Sequence, residues 1–85
     1  MKEETKAQKL QRLSELGLVT DLHRLRTDRA QPGAEVLVRE PDLLRAAARL
    51  FGWRKPTADR VRGLGSSDWD RLVLRLAGLG YRTTP

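Results

Sequence analysis

Eighty-five residues, 39 % hydrophobic and 33 % charged, make one small domain with at most an appended helix, and leave little room for a deep substrate cleft. The absence of cysteine excludes disulfides, thiolate zinc sites, iron–sulfur clusters and cysteine nucleophiles, and no apolar run is long enough to span a membrane. Seventeen basic residues against 11 acidic ones give a net charge of +6, and the charged start MKEETKAQK, with no apolar stretch behind it, leads us to expect a cytoplasmic protein rather than a secreted one.

Residues 3–16 read as a helix with Leu10, Leu13 and Leu16 on a narrow apolar stripe, closed or kinked at Gly17. The i, i+4, i+7 spacing of Leu18, Leu22 and Leu25 predicts a second helical stretch from about Leu18 to Arg29. These leucines suit either a core or a helix–helix seam, so residues 1–29 are expected to form an N-terminal helical segment, a natural surface for a homodimer. Gln31-Pro32-Gly33 is a turn signal, and Ala34 to Arg39 reads as a short strand or an extended linker.

Glu40-Pro41-Asp42 looks like a helix start with Asp42 near the N-cap. It opens a third helix over residues 42–51, with Leu43, Leu44, Ala47, Leu50 and Phe51 on its apolar face. A fourth helix over residues 56–63 starts at Pro56 and stops at Gly63 and Gly65. Ser66 and Ser67 are capping candidates for a fifth, from about Asp68 to Ala77, where Asp68 and Asp70 complement the helix dipole. Its expected buried stripe is Trp69, Leu72, Val73, Leu76 and Leu79, and a short strand is expected around Tyr81-Arg82.

The charge is uneven. Residues 43–65 carry Arg45, Arg49, Arg54, Lys55, Arg60 and Arg62 against Asp59 alone, net +5, whereas residues 30–42 are net −2. A basic block on a folded segment is the electrostatic footprint of nucleic-acid binding, or the solvated face of an arginine-rich protein.

Within that block, residues 44–63, LRAAARLFGWRKPTADRVRG, resemble the helix-turn-helix unit of DNA-binding proteins. A small residue, Ala48, stands where the second helix approaches. Gly52 stands at the left-handed turn, with Ala47, Phe51 and Trp53 as flanking apolar residues and Ala58 and Val61 facing inward. The resemblance implies that the helix starting near Pro56 docks in the major groove of double-stranded DNA. Arg54, Lys55 and Thr57 would then stand at its N-terminal end, Arg60 would read a base, and Arg45, Arg49 and Arg62 would meet phosphates. The pattern departs from the family in its small Ala58, in the negative Asp59 on the contact face, and in the shortness of the second helix before Gly63. The expected fold is therefore mostly helical: a helix-turn-helix-like domain over residues 34–85, with at most a minor two-stranded, winged-helix-like edge.

Nothing in the chain suggests catalysis or a cofactor. His23 is the single histidine and has no carboxylate pair beside it to hold a metal. The glycines at 63, 65, 78 and 80 follow no strand and precede no Gly-Lys-Ser/Thr, so they read as helix stops. Trp53 and Trp69 read as core rather than as stacking platforms. The expected function is a small non-enzymatic DNA-binding protein, a transcriptional regulator or an accessory factor of phage or plasmid DNA handling. The competing expectation is a protein–protein adaptor or inhibitor that sets the same arginines against an acidic partner, as a phage assembly or host-takeover factor would. RNA binding through the basic block, with Trp53 or Tyr81 stacking on unpaired bases, ranks below both.

Overall fold

The computed structural model describes residues 4–27 and 34–83. Helix α1 (Lys6–Glu15) is followed by an antiparallel pair, β1 (Leu22–Thr27) and β2 (Ala34–Arg39). Helices α2 (Glu40–Phe51), α3 (Ala58–Arg62) and α4 (Ser66–Leu76) come next, and the chain closes with a wide helical turn over Ala77–Tyr81. The result is mostly helical with one small two-stranded sheet. None of the described helices is long and apolar enough to cross a membrane.

Helix α1 starts with a capping box. Thr5 Oγ1 accepts from the Gln8 N–H at 3.1 Å, and Gln8 Oε1 accepts from the Thr5 N–H at 3.0 Å. The helix ends where Gly17 adopts φ +74°, which stops the chain from running on helically as far as Arg29. The second helix expected over Leu18–Arg29 is instead β1 across Leu22–Thr27, with residues 28 and 29 outside the described residues. The leucine spacing fits both periods. What decides is burial at period two, which puts Leu25 and Thr27 inside, and β2, whose backbone groups need partners. The register runs from Leu22 opposite Arg39 to Thr27 opposite Ala34. Residues 22–27 and 34–39 thus share one sheet, so the expected division into an N-terminal helical segment (1–29) and a separate domain (34–85) gives way to a fold that interleaves both. The Gln31-Pro32-Gly33 turn lies outside the described residues.

Strand β2 is buried at its centre: Val36 and Val38 are fully buried and Leu37 is almost so. Alternation places Leu37 on the face opposite the two valines. Val36 and Val38 join Leu25, Leu43, Ala46, Ala47, Val61, Leu72, Val73 and Leu76 in the core. The opposite face meets α1, which packs on β2 and buries Ala7 and Leu10. On its free edge β2 pairs at one point with the C-terminal segment, through a bridge between Val36 and Arg82 and a Thr83 N–H to Glu35 O bond of 2.9 Å. The short strand expected at Tyr81-Arg82 is reduced to that bridge, and Tyr81 belongs to the wide turn.

Two contacts tie the hairpin to α4. The Trp69 Nε1–H donates to Arg26 O at 2.8 Å, and the Thr27 hydroxyl bonds to the buried Asp70 carboxylate. Asp70 therefore does more than complement a dipole: its buried carboxylate needs that hydroxyl as a partner. Helix α4 starts two residues earlier than expected, with Gly65 as N-cap and no side-chain cap from Ser66 or Ser67. Leu79 falls outside its stripe and is 42 % exposed, because the chain leaves helical periodicity at Ala77. At α2, Arg39 rather than Asp42 holds the N-cap position, and Glu40 and Asp42 both lie in the first turn, where the dipole favours them.

Candidate nucleic-acid interface

The segment whose sequence resembles a helix-turn-helix, residues 44–63, turns at the end of α2. Gly52 sits at φ +71°, ψ 29°, with the Trp53 N–H donating to Ala48 O at 3.0 Å. An L side chain rarely adopts this left-handed region, so glycine is what lets the chain reverse here. Of the residues expected to face inward, Ala47 and Val61 are buried and Phe51, Trp53 and Ala58 half-buried.

The second half of the unit differs from expectation. The helix expected over 56–63 occupies only Ala58–Arg62, and the connection from Gly52 to Thr57 is correspondingly long. Pro56 stays outside the helix because Thr57 takes the N-cap position. Its hydroxyl accepts from the Arg60 N–H at 3.2 Å, so Thr57 acts as a cap here. Arg54 and Lys55 are exposed in the connection, with no carboxylate partner among the described residues.

The arginines of this end are held in different ways. The Arg60 guanidinium lies over the Trp53 indole, 4.5 Å from its centroid. Trp53 in turn packs on Phe51 at 5.3 Å, and Arg71 of α4 covers Phe51 at 5.6 Å. Arg60, Trp53, Phe51 and Arg71 thus form one stacked column beside α3. Arg62 pairs with Asp59 at 2.5 Å, with both side chains largely in solvent, so the pair holds little energy. Asp59 removes one unit of positive charge from the face and leaves it cationic.

Arg45 and Arg49 are not part of that surface. Asp42, Arg45, Ala46 and Arg49 follow i, i+3, i+4, i+7 spacing and share one stripe of α2. Phe51 lies two residues past Arg49, about 200° around the helix. The basic block that is contiguous in sequence is therefore split by α2 onto two flanks. One flank holds Arg54, Lys55 and Arg60, with Arg62 turned about 200° away from Arg60 around α3 to its Asp59 partner; the other turns Arg45 and Arg49 toward α1 and the C-terminal turn.

That second flank is a groove the sequence did not reveal. Two adjoining concavities of about 180 and 270 Å³ share Lys6, Asp42 and Tyr81. Arg45 and Arg49 line the first, and Lys9 and Arg39 line the second. Arg45 approaches Asp42 at 3.4 Å, Arg39 pairs with Asp21 at 3.2 Å, and Lys6 Nζ lies 4.9 Å over the Tyr81 ring. Burial, and then the Asp42 carboxylate beside its hydroxyl, push the Tyr81 pKa above the usual phenol range. The i, i+4 pair Arg45 and Arg49 was the only local signal of this groove; its other cations come from α1 and β2.

Trp69, one of the two tryptophans in the chain, is half-buried and hydrogen-bonded to the hairpin. His23 lies on β1 with Nε2 3.4 Å from Glu40 rather than on a helix surface. No group of three or more His, Cys, Asp or Glu side chains among the described residues is arranged to hold a metal. No protein-family model, curated protein or solved structure matches the chain.

Proposed function

We propose that the protein is a non-enzymatic, double-stranded-DNA-binding module of the cytoplasm that docks through the α2–turn–α3 end. The observation that carries this reading is the pair Arg54 and Lys55. They stand in the connection that follows a left-handed Gly52, exposed and without a carboxylate partner among the described residues, directly after Trp53, whose ring carries Arg60. Cations in that setting gain by displacing counterions from a phosphate backbone. Because α3 has five residues, it offers the groove little length, so phosphate contacts dominate and base reading is left to Arg60. Reading a guanine edge requires the Arg60 guanidinium to leave the Trp53 face, which makes Arg60 the specificity element and Arg54 and Lys55 the affinity elements. A role in transcription regulation, or in phage or plasmid DNA handling, is compatible with this chemistry.

A second reading has its own support. Leu16 and Leu18 are 63 % and 67 % exposed just beyond α1, an apolar pair suited to a protein partner or a second copy of the chain. Under that reading the arginines face acidic side chains.

The deciding experiment is a fluorescence-anisotropy titration of a labelled random duplex across a salt series, with wild type and the Arg54→Gln/Lys55→Gln variant. The DNA reading expects binding at low salt that weakens steeply as salt rises. The variant should bind more weakly to every sequence, with its salt slope reduced by about 2. No binding at low salt, or an identical slope in the variant, rejects the DNA reading in favour of a protein partner.

A further inference from the structure

The groove on the other flank of α2 has no part in the reading above. Its cations come from three elements: Lys6 and Lys9 from α1, Arg39 from β2, and Arg45 and Arg49 from α2. Bringing like charges together from separate elements costs self-repulsion, which a bound anion relieves. One carboxylate lines the groove, Asp42, and it is already engaged by Arg45 and the Tyr81 hydroxyl; a second, Asp21, holds Arg39 at 3.2 Å. Arg49 has no carboxylate partner among the described residues. Tyr81 lines both concavities, and Lys6 Nζ lies 4.9 Å from its ring centroid, so the ring fixes the ammonium at the groove.

We propose that this groove is a phosphate-binding site, with Arg45 and Arg49 as the fork that grips the phosphate oxygens and Lys6 as the opposing point charge. Guanidinium pairs at i, i+4 on a helix suit a tetrahedral oxyanion with several acceptor oxygens. The excess of the five cations over Asp42 and Asp21 matches a di- or polyanion better than a single carboxylate. The ligand is therefore a phosphate ester, carried either by a nucleic-acid backbone or by a free phosphorylated molecule. The site stands apart from Arg54 and Lys55, so it holds or fails independently of the docking surface proposed above.

The test is a backbone-amide NMR titration of the full chain with pyrophosphate at physiological salt. Wild type is compared with Arg45→Gln/Arg49→Gln and, on a different helix, Lys6→Gln/Lys9→Gln, each first checked for native helix content by circular dichroism. Saturable shifts are expected at the amides around Lys6, Ala46 and Tyr81, with affinity about tenfold weaker in each variant. A parallel titration with a short random duplex assigns the source. A nucleic-acid backbone moves the groove amides and loses affinity in both variants; a free phosphate ester leaves duplex binding unchanged by them. An unsaturated linear drift with pyrophosphate, or wild-type pyrophosphate affinity in both variants, overturns the proposal. Loss of duplex binding in Arg54→Gln/Lys55→Gln alone bears on the docking surface and leaves the groove untouched.

Discussion

On one flank of α2, Arg45 lies 3.4 Å from Asp42 in a groove lined by Tyr81; on the other, Arg60 lies over Trp53, 4.5 Å from the ring centroid. Both arginines belong to the same basic stretch of sequence. The first flank draws its partners from α1, β2 and the C-terminal turn, so its cations line a cavity between elements. The second draws its partners from its own connection and from α3, so its cations stand on a protruding edge. A cavity suits a compact anion, and an edge suits an extended one. The difference comes from the 3.6-residue repeat of α2, which separates Arg49 from Phe51 by more than half a turn.

The largest effect is expected where both flanks lean on the same support. Leu72 of α4 is fully buried among the residues that carry α2 and β2. Leu72→Ala should cost about 3 kcal/mol, read as a lowered denaturant midpoint, and should weaken both flanks together. In a domain of this size that is a large share of total stability.

Val61 fastens only the α3 edge to the core. Val61→Ala should cost about 2 kcal/mol and impair duplex binding more than pyrophosphate binding. Equal loss on both sides would contradict the separation of the flanks.

Gly52→Ala should cost about 1 kcal/mol from the strained left-handed backbone alone, since an added Cβ meets nothing within 4 Å. Its effect should fall on the α3 edge, measured as a lower melting temperature with the groove amides unmoved.

The smallest expected effect concerns the groove. Tyr81 is the single tyrosine, so its ionisation can be followed by ultraviolet absorbance. Burial and Asp42 raise its pKa in the folded state, so the folded chain keeps the proton after the unfolded chain has lost it. The resulting stability is fully present below the ordinary phenol pKa and is lost as pH rises past about 10. Tyr81→Phe should remove that part of the pH dependence; an unchanged slope would show that the hydroxyl is not held against Asp42.

How much of this was legible in the sequence depended on how local the determining contact was. Strand Ala34–Arg39 could be read because its apolar run is flanked by a turn signal and by Pro41, and α2 could be read from its amphipathic spacing. The left-handed Gly52 and the inward Val61 followed from the helix-turn-helix pattern. Strand β1 was read as helix because Leu18, Leu22 and Leu25 satisfy either period, and the partner that settles it lies across the hairpin. The groove was hidden for the same reason, because Lys6 and Tyr81 meet only once α1 packs on β2. The length of α3 turned on one hydroxyl: Thr57 caps the helix and leaves Pro56 outside it.

Under the proposed function, the α2–turn–α3 edge is what meets duplex DNA. The most direct measurement is an amide-shift map of the isotope-labelled protein with a short duplex added stepwise at low salt. The first and largest shifts are expected on residues 53–62, with the Trp53 indole N–H moving as Arg60 leaves its ring. A complex that forms while those signals stay in place would contradict that reading.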